Sequence, residues 1–555
     1  MNNFVEVIPL GGLGEFGMNS TALRCGSDMI VIDAGMGFPS HDSGTGLGVH
    51  VIVPDITFLK ENEDQLRGII LTHGHEDHVG AVSFFLQDLD VEIYGSRLTL
   101  GLVSERLKER QLLNRARLNE IAARQVLNLG CFEIEALHVT HSYPDSFCLA
   151  IRTPAGTLIW SGDFKFDQTP IDGKMSDLHR LASYGESGVL ALFSDSTNSA
   201  VPGLAPSESN VREPLRNIFR QAPGRIVATT FASSIHRIQI IFDLAREFER
   251  VVVPVGRSIV NNIRIANELG YLNPPPEILA TVKQARDLPP SEVVILASGS
   301  QGEPMSALTR LAIDQFKNLT VEEGDTVILS TRIIPGNEKS ISRMVNHFFR
   351  RGARVVDTSH SQVHVSGHGY RDDLKLMINL TKPSFFIPIH GEYRQLKSHT
   401  WIARDQGLPQ ERIVLMETGD VLRLDPEAAE VVDKVTVGRR FIDDGILEEV
   451  HEMVLRERRF LSEDGFVIVI LRIDRRTGVL LGEPEIVSRG FIFIDDSEGL
   501  LAEASLRIQE IVEETSLEEK QDDELFNEII RKELKRFFRK QTGKRPLILS
   551  LTLEI

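Results

Sequence analysis

One run of residues constrains this 555-residue chain more than any other: Leu71-Thr72-His73-Gly74-His75-Glu76-Asp77-His78-Val79-Gly80-Ala81. The preceding residues 68–72 read as a strand, and residues 79–87 (VGAVSFFLQ) read as a helix. Imidazole and carboxylate are the ligands that suit Zn²⁺ and Mn²⁺. A tight loop between rigid elements can aim His73 and His75 at one ion and Asp77 and His78 at a second. Buried without metal, such a loop would leave several polar groups unpaired, which costs free energy.

The remainder of the chain sets the frame. Hydrophobic residues are 42% and charged residues 25%, which excludes wholesale disorder, collagen-like repeats and a coiled-coil rod. No apolar stretch approaches the ~20 residues of a membrane span. The start, MNNFVEVIPLGGLGE, lacks the features of a signal peptide. Cys25, Cys131 and Cys148 form neither a disulfide framework nor a zinc ribbon, so a cytoplasmic setting is expected. The net charge of −18 argues for an acidic enzyme rather than an obvious nucleic-acid binder. A local groove or a bound divalent ion reverses the field where it sits, so net charge weighs little against a specific motif.

Short Val- and Ile-rich strands over 4–10, 20–25, 29–33, 132–139, 147–152 and 157–161 predict sheets packed as a sandwich with helices outside. Residues 97–125 carry apolar residues at helical spacing. They predict a basic helix bearing Arg106, Lys108, Arg110, Arg115, Arg117 and Arg124, more a solvated face than an RNA guide. From Pro206, strands alternate with helices as in a parallel α/β unit. A tail from about 455 has its own strands and two long helices, 497–515 and 519–541. Residues 513–528 hold eight acids and one base, and 531–545 hold eight bases and one acid, an order that suits the helix dipole.

Gly12-Leu13-Gly14-Glu15-Phe16-Gly17 matches GxGxxG, with Asp33 near the place of a ribose-binding acid. That fingerprint needs a helix opening on its third glycine. Here MNSTALRCGSDMIVIDAG reads as a strand hairpin, so no nucleotide cofactor is expected and the glycines read as a tight turn beside a site.

The HxHxDH loop, followed in order by His141 in HVTHS and Asp163 in SGDFK, resembles the metallo-β-lactamase superfamily. Asp195 in SDST, His364-Val365-Ser366-Gly367-His368 and His390 in PIHGE resemble motifs A, B and C of its β-CASP branch. PLGGLGEFGMN, HSYPDSF, FASSIHRIQ, ASGSQGEP, IHGEYRQL and VSRGF extend the resemblance to bacterial ribonuclease J across the chain, although Tyr143 stands where a β-branched residue is expected.

The resemblance implies an α/β (α+β) chain: an αββα sandwich (1–206 and 356–435), an inserted β-CASP domain (207–355), a linker (436–454) and a small self-association domain (455–555). It implies two Zn²⁺, with Mn²⁺ as an alternative working metal. His73, His75 and His141 would hold one ion, Asp77, His78 and His390 the other, and Asp163 would bridge them. Asp33 would orient a ligand imidazole. His368 would act as general acid or clamp, oriented by Asp195. Ser233, Ser234, Ile235, His364, Val365, Ser366, Gly367 and His368 would bind the substrate's phosphate. A structural Ca²⁺ near Asp443 is implied in part, since His50 stands where a carboxylate is expected. The implied activity is 5′-to-3′ and internal cleavage of single-stranded RNA by a homodimer, in some settings a tetramer, with no membrane association. DNA cleavage, small-ester hydrolysis and an inactive paralogue are the competing readings; the complete ligand set argues against the last.

Overall fold

Strands with apolar residues on both faces need cover on both sides, and two facing sheets with outer helices provide it. In the computed structural model, which describes residues 3–39, 47–334, 336–443, 448–450, 452–474, 476–492 and 494–554, one sheet has eight strands. Its order is 429–434, 420–424, 5–11, 20–25, 28–32, 66–70, 92–95 and 117–120. A second has six, in the order 383–389, 189–195, 156–160, 146–153, 132–139 and 126–129. Alternation divides each strand between two cores. Phe147, Leu149 and Ile151 of Ser146–Thr153 meet Leu23, Ile30 and Ile32 of the first sheet, while Cys148 and Ala150 meet Leu374, Met377 and Ile402 of the outer helices.

The inserted segment forms a five-stranded parallel sheet, 251–255, 293–297, 226–229, 326–329 and 354–356. Strand 226–229 sits in the middle, and the chain visits first one side of it and then the other. Loops at the carboxyl ends of such strands frame a crevice at the point of reversal.

The chain divides into two compact units, Met1–Phe38 with Val51–Arg440, and Pro39–His50 with Phe441–Ile555. In the second, the strand Phe466–Ile473 pairs antiparallel with Glu485–Arg489 and parallel with Leu547–Glu554. Val467, Val469 and Leu471 bury one face under the helix Asp523–Thr542, through Phe526, Ile530, Leu534 and Phe538.

Three expectations need correction. Residues 97–125 are not one helix: Arg97–Glu109 is helical, Gln111 takes a left-handed φ of 59°, and Arg117–Glu120 is a strand. Arg106, Arg117 and Arg124 are tied to Glu76, Asp90 and Asp177, so these bases are not a free RNA track. The expected linker 436–454 carries the strand Arg439–Asp443, paired with Glu448–Glu449, and the helix Glu452–Asp464 begins inside it; its residues 444–447 and 451 lie outside the described residues. Near Asp443, His50 Nδ1 lies 3.4 Å from the carboxylate and Arg458 donates to the Leu47 carbonyl at 2.7 Å. Among the described residues a histidine nitrogen, and no second carboxylate, faces Asp443, which is not the oxygen-rich set that calcium takes.

Candidate metal centre

The strand ends at Ile70, having begun at Leu66, and the loop from Leu71 passes through His75 into the short helix Glu76–Val79. The segment after Asp33 runs beneath it, with Ala34 N–H donating to His78 O and Met36 N–H to Glu76 O. Gly35 is required there, because a Cβ would stand 1.7 Å from the Asp77 carbonyl oxygen. His141 follows the strand Phe132–Val139, Asp163 follows Gly156–Trp160, Asp195 ends Val189–Asp195, and His390 follows Pro383–Ile389. Four strands of one sheet thus deliver four of the residues at the same edge, the antiparallel strand 146–153 lying between 132–139 and 156–160. Asp33 and His390 hold left-handed φ values of 62° and 56°. Non-glycine residues keep that conformation where the surroundings enforce it, most often at functional sites.

Asp163 is the centre of the group. Its Oδ2 lies 3.5 Å from His73 Nε2, 3.4 Å from His78 Nε2 and 3.8 Å from His141 Nε2, and its Oδ1 lies 3.6 Å from His390 Nε2. His75 Nδ1 is 3.0 Å from His73 Nε2 and 3.2 Å from His141 Nε2. Asp77 Oδ2 is 3.3 Å from His390 Nε2. Three donor groups share Asp163: His73, His75 and His141; Asp77, His78 and His390; and Asp195 and His368 with the same His390.

The far ring nitrogens fix which atom faces the centre. His141 Nδ1 donates to Gly367 O at 2.8 Å, and His78 Nδ1 to Asp33 Oδ2 at 2.8 Å. Thr72 Oγ1 donates to Asp33 and so accepts from His73 Nδ1 at 3.1 Å. Thr197 Oγ1 donates to Asp195 and so accepts from His390 Nδ1 at 2.8 Å. With the Nδ1 atoms of His73, His78, His141 and His390 carrying protons, their four Nε2 atoms turn toward one buried carboxylate, while His75 presents Nδ1. Such outer contacts orient metal-ligating imidazoles. The donor set fits two divalent ions of the zinc type.

The protein's own charges agree. Burial opposes protonation of His78, but Asp163, Asp77 and Asp33 overcome it and hold the ring well above the ordinary histidine range. His390 is raised in the same way, against burial, by Asp163, Asp195 and Asp77. Burial, with neighbouring imidazoles, pushes His73 and His141 well down and His75 to about 4. Carboxylates that hold ring protons in this way are ones a cation can occupy by displacing those protons.

His368 stands at the open side, with Nδ1 2.8 Å from Asp195 Oδ2 and 3.8 Å from Asp163 Oδ2. Its N–H donates to Ser366 Oγ at 3.1 Å. Ser234 occupies the N-cap position of the helix Ile235–Glu247, yet its side chain caps no N–H. His364 lies 3.4 Å from Arg237 of that helix, and burial with Arg237 and Arg332 pushes its ring down to about 3. Ile235 and Val365 point into one apolar core with Val363, so only their backbones can meet a ligand. The glycine turn lines a cavity with Asn19, His78, Asp163 and His390. No helix opens on Gly17, whose chain continues into the strand Ser20–Cys25, and Asp33 is engaged by Thr72 and His78.

Sequence reasoning missed Thr72, Thr197, Asn198 and Asn19. Asn198 donates to Ser366 Oγ at 2.9 Å and His368 O at 3.2 Å, and Asn19 Nδ2 lies 3.3 Å from His78 Nε2. Their only signal was position: Thr72 directly before His73, Thr197 and Asn198 just after Asp195, and Asn19 just after the glycine turn.

Residues 13–202 match the metallo-beta-lactamase superfamily and 353–409 the Zn-dependent metallo-hydrolase RNA specificity domain. Residues 223–348 match the beta-CASP domain of ribonuclease J and 453–555 its C-terminal domain. A solved structure of a protein of unknown function from Enterococcus faecalis shares the fold, with a TM-score of 0.52 and 15% identity over 76% of this chain and 100% of that one. Fold, insertion and His/Asp centre define a metal-dependent hydrolase of the metallo-β-lactamase class with a β-CASP insertion. The ribonuclease J of Synechocystis sp. is 42% identical over 490 residues, 88% of this chain and 76% of that protein. Ribonuclease J2 of Bacillus subtilis is 38% identical over 551 residues, 99% of each chain, and the ribonuclease J of Thermus thermophilus 40% over 560, 99% and 95%. The chain belongs to the ribonuclease J family.

Proposed function

We propose that the protein is a two-zinc ribonuclease that hydrolyses single-stranded RNA, both 5′-to-3′ from 5′-monophosphate ends and internally. The observation that carries this is Asp163, a buried carboxylate shared by two complete sets of His and Asp donors. His73, His75 and His141 would hold one ion and Asp77, His78 and His390 the second, with Asp163 common to both. Two such ions neutralise charge on a phosphodiester and lower the pKa of an attacking water. The rest falls to the protein. Asp33, Thr72, Thr197 and Gly367 hold the ligand rings in register. His368, with Nδ1 on Asp195, keeps Nε2 for the leaving 3′ oxygen as proton donor or clamp. Ser366, Asn198, His364 and the Ser233-Ser234 turn seat a phosphate beside it. The relatives named ribonuclease J and the RNA specificity match support RNA as substrate.

Self-association through the tail is part of this reading, as a homodimer able to pair further. The acid-to-base helix Asp523–Thr542 gives it little support, because Glu528–Arg531, Glu533–Arg536 and Arg507–Glu533 pair within the tail. Better support comes from the uncovered sheet face, where Leu549, Leu551 and Leu553 are 46%, 53% and 49% exposed.

The test uses one RNA sequence with 5′-monophosphate or 5′-triphosphate, labelled at each end, and a matching DNA. Mononucleotide release from the monophosphate end, weaker release from the triphosphate end, and little action on DNA are expected. Equal cleavage of DNA would overturn the assignment to RNA.

A further inference from the structure

We propose that Arg332 is a phosphate-binding residue of this site, closing from the inserted domain onto the phosphate that Ser366 holds. The inference rests on the reading that an RNA phosphate sits on the Ser366 loop, and it adds a charge that the loop itself lacks.

Arg332 follows the strand Thr326–Leu329, at the carboxyl end of the parallel sheet and beside the middle strand. Its backbone is clamped. Gln301 Nε2 donates to the Arg332 carbonyl at 3.0 Å and to Thr331 Oγ1 at 3.1 Å, and Gln301 itself is 5% exposed. Gln301 Oε1 accepts the Ile334 N–H at 2.9 Å, which fixes the turn that follows. The base of the side chain is therefore held by two loops while its head is exposed.

The head faces the catalytic loop. Arg332 Nη1 donates to Asn198 Oδ1 at 2.8 Å, and Asn198 Nδ2 donates to Ser366 Oγ and to the His368 carbonyl. One amide therefore separates the guanidinium from both Ser366 and His368. Arg332 is also among the charges that depress the buried His364 ring, which places its field in the same pocket. The other cations there are committed: Arg237 grips the buried Glu208 through Nε and Nη2 and spends Nη1 on Ser330 and Val363, and the buried Lys165 donates to the Pro206 carbonyl at 2.8 Å with Asp167 3.8 Å away. Arg332 pairs with no carboxylate among the described residues. A guanidinium has five donors, and one is used. An exposed, positioned, unneutralised guanidinium beside a hydroxyl and a backbone N–H is a recognition element for a phosphate, which it can grip with two parallel hydrogen bonds.

The chemistry also separates this cation from its neighbours. The neutral His364 and the hydroxyls can orient a phosphate, but they cannot balance its charge. A terminal phosphate carries more negative charge than an internal diester, so a cation here favours an end over a chain interior.

The experiment compares Arg332→Met, Arg332→Lys and Ser366→Ala on one single-stranded RNA carrying a 5′-monophosphate or a 5′-hydroxyl. Charged hydrogen bonds of ~1.5–3 kcal/mol correspond to about ten- to a hundredfold. For Arg332→Met, KM for the monophosphate RNA should rise by that factor, kcat should change little, and the 5′-hydroxyl RNA should be unaffected. Arg332→Lys should recover part of the loss. If Arg332→Met lowers kcat on both RNAs alike, Arg332 acts through Asn198 on the loop and the proposal is overturned. If Ser366→Ala discriminates between the two ends while Arg332→Met does not, the phosphate pocket stands and Arg332 is not part of it. If Ser366→Ala fails to discriminate, the underlying reading of the pocket fails, whatever Arg332 does.

Discussion

The metal centre and the tail sheet depart from ordinary burial in opposite directions. At the centre, Asp163, His73, His78, His141 and His390 are polar groups almost wholly removed from water. In the tail, Leu549, Leu551 and Leu553 are apolar side chains about half exposed along one strand. Each departure costs free energy in the isolated chain, and on the proposed reading a cation would relieve the first and an apolar partner surface the second. The difference lies in how each region is secured. The centre is held by hydrogen bonds from Asp33, Thr72, Thr197 and Gly367, so its geometry is set before a ligand comes. The tail face has shape and apolarity only, so it specifies a partner surface less exactly.

Breaking the centre should have the largest effect. Asp163→Asn removes the charge common to both donor sets, and cleavage should fall on the order of a thousandfold or more, with metal content reduced. A variant that kept full metal content and activity would remove Asp163 from its central place.

Next is the tail. Leu549→Glu with Leu551→Glu places two carboxylates on the open face. The double variant should elute as a monomer in sizing by light scattering and still cleave short RNA. High salt should not dissociate the unmodified protein if this apolar face forms the interface. Dissociation at high salt, with the double variant still dimeric, would return the interface to the charged helix Asp523–Thr542.

The smallest effect sharpens the contrast within the catalytic unit. His399 is fully buried, bonded to Ser196 Oγ at 3.0 Å, and burial lowers its ring to about 3. Its folded pKa lies below the unfolded value of ~6.5, so unfolding takes up a proton in acid. Its contribution is complete above pH 6.5 and is lost progressively as pH falls toward about 3. By pH 5 this single group costs about 2 kcal/mol. The melting midpoint of His399→Asn should therefore fall less between pH 7 and pH 5 than that of the unmodified protein. An equal fall would show that His399 is protonated without penalty.

The cluster of His and Asp donors was legible in the sequence because metal chemistry concentrates such residues in short runs at strand ends, as in the residues 73–78. Their orienting partners were not. Thr72 and Thr197 are ordinary residues until the fold sets them against His73 and His390. Arg332 reaches Asn198 across 134 positions, a distance no local pattern encodes. The region 97–125 misled because a short, half-exposed edge strand can share the spacing of an amphipathic helix; the turns over 110–116, with Gln111 left-handed, separate them. The open tail face was invisible because Leu547, Leu549, Leu551 and Leu553 share one side of their strand and Ser550 and Thr552 the other, so alternation alone would bury the leucines; which side lacks cover is a tertiary fact.

The most direct test is metal content measured together with cleavage. The purified protein is analysed for zinc and manganese, stripped with a chelator, and assayed on a 5′-monophosphorylated single-stranded RNA before and after each ion is restored. The expected result is about two ions per chain with activity lost on stripping and regained on restoring them. Full cleavage by protein that holds no metal would contradict the two-ion centre around Asp163.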